Sequence, residues 1–190
     1  GSYRRNFSIP SDWDGKEIFL NFDGVYSGLY VWINGKKVGY SQGANNVAEF
    51  NITDYVKVGD NTIAAEVYRW TDGSYIEDQD MFRLSGIHRS VFVYATPKVH
   101  VRDYFLLSEF VGDDYSSAIF RVKASVKNYD KKASQATTMN ISLLDVSGKE
   151  VANLSQVIGA LKNGQELNYD LQTKIDNPVL WSAEKPNLYI

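Results

Sequence analysis

Apolar and polar positions alternate along most of this chain, and the alternation predicts strands. Ile18, Leu20 and Phe22 alternate with Glu17 and Asn21, the spacing of a half-buried strand. Leu29, Val31 and Ile33 form one face of the next run, with Tyr30 and Trp32 on the other. Asn34-Gly35 follows at once, and Lys37-Val38-Gly39-Tyr40 comes after it. An Asn-Gly pair between alternating runs predicts a tight hairpin, because both central residues take positive φ. Ile63, Ala65 and Val67 alternate with Glu66 and Tyr68, and Val91 and Val93 with Phe92 and Tyr94.

The pattern restarts after Thr96-Pro97. Phe120, Val122, Ala124 and Val126 face one way, with Arg121, Lys123, Ser125 and Lys127 facing the other. Met139, Ile141 and Leu143 make a further face. Ser147-Gly148 turns into Lys149-Glu150-Val151, and Leu167, Tyr169 and Leu171 alternate again. No segment holds a helical period, and no internal repeat is present. Short strands at regular spacing predict all-β sandwiches. A boundary near Pro97-Lys98 gives a larger first sandwich with decorated loops (1–97) and an immunoglobulin-type sandwich (98–190). The second is expected to stop early, because a strand at Asn187-Leu188-Tyr189-Ile190 has no return partner in the chain.

Composition narrows the chemistry. The 190 residues are 44% hydrophobic, so there is enough apolar surface for a packed core. With no cysteine, disulfides, thiolate metal sites and cysteine nucleophiles are excluded. Two histidines, His88 and His100, are too few for a His-rich metal site, and both read as structural. A net charge of −3, without a block of five like charges, does not indicate a nucleic-acid face. No apolar run approaches the ~20 residues of a membrane span. The start shows neither a signal-peptide pattern nor an initiator Met, so the chain is expected to be a processed or excised piece. Sequons at Asn6, Asn51, Asn140 and Asn153 carry little weight in a chain rich in Asn, Ser and Thr.

One segment stands apart, from Arg69 to Arg89. It carries Asp72, Glu77, Asp78 and Asp80, interleaved with Trp70, Tyr75 and Phe82. Long loops on compact domains tend to be functional. Carboxylates suit hard cations and sugar hydroxyls, and aromatic rings suit the apolar face of a pyranose. The plain alternative is a solvated acidic loop, with Arg69, Arg83 and Arg89 as counter-charges. A glycosidase-type carboxylate pair within the loop is also open.

The run Arg69-Trp70-Thr71-Asp72-Gly73-Ser74-Tyr75-Ile76-Glu77-Asp78-Gln79-Asp80-Met81-Phe82-Arg83-Leu84-Ser85-Gly86-Ile87-His88-Arg89 closely resembles a signature of β-galactosidases of glycoside hydrolase family 2. It departs mildly, at Thr71, Ile76 and Phe82. Tyr3-Arg4-Arg5-Asn6-Phe7, Phe22-Asp23-Gly24-Val25-Tyr26-Ser27, the stretch from Trp32 to Gln42, and the stretch from Asn177 to Tyr189 resemble further family segments, in order. The resemblance covers essentially the whole chain. It implies a galactose-binding-like jelly-roll sandwich followed by an immunoglobulin-like sandwich, one incomplete at its N-terminus and the other at its C-terminus. In that family a TIM barrel comes next and carries both catalytic glutamates. The resemblance therefore implies no catalytic residue here, and a parent enzyme that hydrolyses terminal β-galactosides with retention. It also implies that this piece is inactive alone, forming one wall of the active site and a scaffold for the barrel.

By the same resemblance, Asp80 binds substrate and a sodium ion, and Asp72 and Gln42 help hold a magnesium ion. The plain alternatives are pairing of Asp80 with Arg83, a turn role for Asp72 before Gly73, and a polar loop role for Gln42. Glu77 and Asp78 are expected to anchor the loop, and Trp70 and Tyr75 to pack in the core or the loop, with stacking on sugar as the alternative. The implied partners are a β-galactoside, the barrel of the same chain and further copies in a homo-oligomer, with no nucleic acid or membrane. Bacterial cytoplasm and periplasm both stay open. A free-standing carbohydrate-binding or structural β-sandwich protein is the competing reading.

Overall fold

The computed structural model describes residues 1–77, 80, 82 and 84–190. The chain divides into two compact units, Gly1–Lys98 and Val99–Ile190. Lys98 falls in the first, where its ammonium lies 2.5 Å from the Glu17 carboxylate.

In the first unit the strands are β1 (Ser2–Ile9), β2 (Glu17–Phe22), β3 (Val25–Tyr26), β4 (Gly28–Ile33), β5 (Lys36–Gln42), β6 (Ala48–Asn51), β7 (Gly59–Tyr68), β8 (Gly86–Ile87) and β9 (Val91–Thr96). A short helix, α1 (Asp72–Ile76), interrupts them. One sheet has the order β1-β7-β4-β5, a second β6-β2-β9, and β3 pairs with β8. Leu29, Val31, Ile33, Ala65 and Val67 from the first sheet meet Ile18, Leu20 and Phe22 from the second in one apolar core. That is the sandwich logic of two alternating faces turned inward. The predicted hairpin is present: β4 and β5 pair across Asn34 (φ +51°) and Gly35 (φ +80°).

β2 departs from the half-buried reading, because all six of its residues are buried. It is the middle strand of its sheet, and its outward face is covered too. Phe19 stacks on Tyr94 at 5.3 Å. Glu17 receives hydrogen bonds from Lys98 Nζ (2.5 Å), Asn51 Nδ2 (2.7 Å) and Thr53 Oγ1 (2.9 Å). Burial works to raise the Glu17 carboxyl, but these donors outweigh it and hold it below its ordinary value.

The second unit holds β10 (Val99–Phe110), β11 (Ser117–Asn128), β12 (Thr137–Leu144), β13 (Glu150–Ile158) and β14 (Glu166–Asp176). The sheet β10-β11-β14 faces the two-stranded sheet β12-β13. Phe120, Val122, Ala124 and Val126 pack with Met139, Ile158, Leu161 and Ile175 between them. Asn128 is fully buried, and its amide reaches the carbonyls of Lys132 (2.8 Å) and Leu161 (3.0 Å). The stretch 187–190 is not a strand, and it is not partnerless either. Leu144 and Ile190 exchange backbone hydrogen bonds of 2.7 and 2.9 Å. The chain is an all-β jelly-roll sandwich followed by an immunoglobulin-like sandwich.

Candidate functional site

Three loops of the first unit are tied together around the Arg69–Arg89 segment. Ser27, 1% exposed, is the hub. Its Oγ lies 2.7 Å from Thr71 Oγ1 and within hydrogen-bond reach of the Tyr68 and Arg69 carbonyls. Thr71 then opens α1. The Ser74 hydroxyl accepts from the Thr71 N–H (3.0 Å), a donor that the helix start leaves bare, and donates to the Thr71 carbonyl (2.6 Å). At the other end of α1, Glu77 accepts from the Ala44 N–H at 2.9 Å, fastening the segment to the β5–β6 loop. Arg89 donates to the carbonyls of Asp23 (3.3 Å) and Asn45 (3.2 Å), joining the other two loops. A Cβ on Gly24 would lie 2.8 Å from His88 Nε2 and 2.9 Å from Arg89 Cδ, so a larger residue there would displace these two side chains.

Asp80 is exposed on this braced segment. A free carboxylate there can accept hydrogen bonds from sugar hydroxyls or ligate a hard cation. Asp78, the other expected anchor, and Arg83, the partner of Asp80 in the plain alternative, lie outside the described residues.

Asp72 is the first residue of α1. Gln42 ends β5 beside it: a Cβ built on Gly73 would stand 3.7 Å from Gln42 Cβ. The Gln42 carbonyl accepts from Tyr40 Oη at 2.6 Å and keeps a second lone pair. Burial, then Tyr30 and then the Asp72 charge hold the Tyr40 phenol above its usual range, so it stays a donor. The two oxygen donors suit magnesium chemically, but fill only two of the six positions it demands. Among the described residues no group of three His, Asp or Glu stands together to complete such a shell.

Trp70 and Tyr75 are not buried in the loop, being 59% and 77% exposed, and Trp70 carries the Arg69 guanidinium over its ring at 5.1 Å. Ile76 (82%), Phe82 (90%) and Leu84 (72%) continue this exposed apolar run. The His88 N–H bonds to the Gly24 carbonyl at 3.3 Å, and His100 stacks on Tyr129 at 5.1 Å. Sequence reasoning missed the bracing by Ser27 and Arg89. Their identities lie in the matched segments, but only the fold shows which backbone groups they hold. A separate apolar cleft of about 860 Å³ opens between β1 and β9, lined by Phe7, Ile9, Trp13, Leu20, Phe22 and Val93, and none of the expected site residues lines it.

Comparison with known proteins gives this geometry a context. Residues 1–97 match the family model for the sugar-binding domain of glycosyl hydrolases family 2, and residues 99–190 match a second model of that family. The chain is 42% identical over 189 residues to a β-galactosidase of Priestia megaterium, and 38% identical over 212 residues to one of Yersinia enterocolitica. Each alignment takes in the whole of this chain but only 18% and 19% of those proteins. Among solved structures, β-glucuronidase 2 of Bacteroides uniformis aligns over 99% of this chain and 23% of its own, with a TM-score of 0.88 and 26% identity. A putative β-galactosidase from Bacteroides fragilis aligns over 99% of this chain and 29% of its own, with a TM-score of 0.85 and 25% identity. Both halves and their order agree with these relatives, and the chain belongs to glycosyl hydrolases family 2.

Proposed function

We propose that the chain is the non-catalytic N-terminal part of a retaining β-galactosidase, and that it supplies one wall of the active site through Asp80. The observation that carries this is an exposed Asp80 on a segment braced by Ser27, Glu77 and Arg89, within the run that resembles the β-galactosidase signature. Identity of 42% to a β-galactosidase supports the substrate class. Asp80 accepts from a galactose hydroxyl and ligates sodium, while Asp72 and Gln42 contribute two ligands to magnesium and other parts of the longer protein the rest. The catalytic glutamates lie in a barrel beyond this chain, so the chain alone hydrolyses nothing. The longer protein is a homo-oligomer.

The test is Asp80→Asn in the longer protein. Losing a charged hydrogen bond of about 1.5–3 kcal/mol lowers kcat/KM for 4-nitrophenyl β-galactoside by roughly 10- to 100-fold. The sodium response weakens with it. Unchanged kinetics with and without sodium remove Asp80 from the site. A second reading, β-glucuronide hydrolysis, is favoured by the structural likeness to the B. uniformis enzyme at 26% identity. Faster turnover of the glucuronide than of the galactoside establishes it instead. Sub-millimolar galactose binding by the 190-residue chain alone favours a free-standing sugar-binding protein.

A further inference from the structure

The stretch that carries Asp80 is fastened on both sides to one four-residue turn. Between β5 and β6 the Asn46 N–H donates to the Gly43 carbonyl at 3.2 Å, closing a turn over residues 43–46. That bond leaves the N–H of the second turn residue without a partner. Here the second residue is Ala44, which is fully buried, and an orphaned donor there is costly. Its N–H goes to Glu77 Oε2 at 2.9 Å. The third turn residue, Asn45, offers its carbonyl to Arg89 Nη1 at 3.2 Å. Glu77 and Arg89 flank Asp80, the first three residues before it and the second nine after.

Glu77 is held at its backbone as well as at its tip. Its N–H donates to the Gly73 carbonyl at 2.8 Å, closing α1, and α1 starts from Thr71, which Ser27 holds. Asp80 lies within about 10 Å of Glu77 even along a fully extended chain. The returning strand β8 begins six residues past Asp80, so Glu77 is the nearer anchor. What the Ala44 bond asks of residue 77 is an acceptor at that reach, not a charge. Glutamine supplies one and alanine none.

We propose that Glu77 is a positioning residue: by gripping the turn at 43–46 it sets where Asp80 stands, and it serves as a hydrogen-bond acceptor rather than as a ligand of sugar or cation. The inference rests on the Asp80 reading above. It divides the carboxylates of the segment by task, with Asp80 presented to the ligand and Glu77 presenting it.

The test compares Glu77→Ala with Glu77→Gln in the longer protein, with Asp80→Asn beside them. Hydrogen exchange reads the bond itself: the Ala44 amide is expected to exchange at least ~10-fold faster in the alanine variant and within about 3-fold of native in the glutamine variant. Turnover of 4-nitrophenyl β-galactoside reads its effect. KM and the sodium concentration at half-maximal rate are expected to rise about 10-fold in Glu77→Ala and less than about 3-fold in Glu77→Gln. A purely structural loss lowers kcat with the amount of folded enzyme and moves neither. Added to Asp80→Asn, Glu77→Ala is expected to cost less than a further ~2-fold, because the residue it acts through is already altered. A glutamine variant as impaired as the alanine one, a full further loss in the double variant, or an unchanged Ala44 amide overturns the proposal. An effective Asp80→Asn with a silent Glu77→Ala overturns it alone, whereas a silent Asp80→Asn overturns the Asp80 reading and the proposal with it. If Glu77→Ala does not fold, Gly43→Ala replaces it in the kinetic comparison, since it strains the turn at φ +141° and leaves Glu77 in place.

Discussion

Asn34→Val separates two contributions to the β4–β5 hairpin. Asn34 sits at φ +51°, a region that a β-branched residue enters at a cost of about 1–2 kcal/mol. Its side chain also makes three bonds. The amide donates to the Tyr55 carbonyl (2.9 Å) and Asn61 Oδ1 (2.8 Å), and the Thr62 N–H donates to its carbonyl oxygen (2.9 Å). Each bond is worth about 0.5–1.5 kcal/mol, and the site is exposed, so the bottom of that range, about 0.5 kcal/mol, applies. The three together give about 1.5 kcal/mol, and the valine variant is expected to lose about 3 kcal/mol in all. Asn34→Gly removes the same bonds without the strain, and is expected to lose about half as much. Urea unfolding followed by tryptophan fluorescence suits the measurement, because three of the four tryptophans lie in the first unit. With a slope of about 2 kcal/mol/M, the valine midpoint falls by about 1.5 M and the glycine midpoint by about half that. Equal shifts for the two variants refute the strain argument, and no shift in either refutes the role given to the hairpin.

Glu17 contributes a pH dependence whose direction follows from its lowered carboxyl. A depressed folded value means stability that is present above the ordinary 4.5 and is lost as pH falls through the folded value. Thermal unfolding between pH 3 and 7 is expected to show this acid-side loss in the native chain and a flatter profile in Glu17→Gln; matching profiles contradict it. Asn128→Leu strips partners from the Lys132 and Leu161 carbonyls and from the Asp130 N–H inside a fully buried site. A loss of about 3–5 kcal/mol is expected from denaturant unfolding, and a loss below about 1 kcal/mol shows that the network contributes little.

Features that depend on neighbours in the chain were legible before the fold was known. The alternation Leu29-Val31-Ile33 became the inward face of β4, and Phe120-Val122-Ala124-Val126 that of β11, because strand side chains point to opposite faces with a period of two. Asn34-Gly35 became a turn because both residues tolerate positive φ. The matched segment from Arg69 to Arg89 marked the loop that carries Asp80 and named the family. Tertiary structure decided what depends on groups far apart in the chain. Glu17 and Asn21 looked like a wet face, yet β2 is buried on both sides, because Lys98, 81 residues away, and Asn51 and Thr53 supply Glu17 with partners. Trp70 and Tyr75 looked like packing residues and are exposed, because Ser27, Thr71 and Glu77 fasten the loop through polar bonds instead. The end of the chain looked unpaired and meets Leu144, 46 residues earlier. A local period reports which residues share a face; what covers that face is set by contacts whose partners the period does not contain.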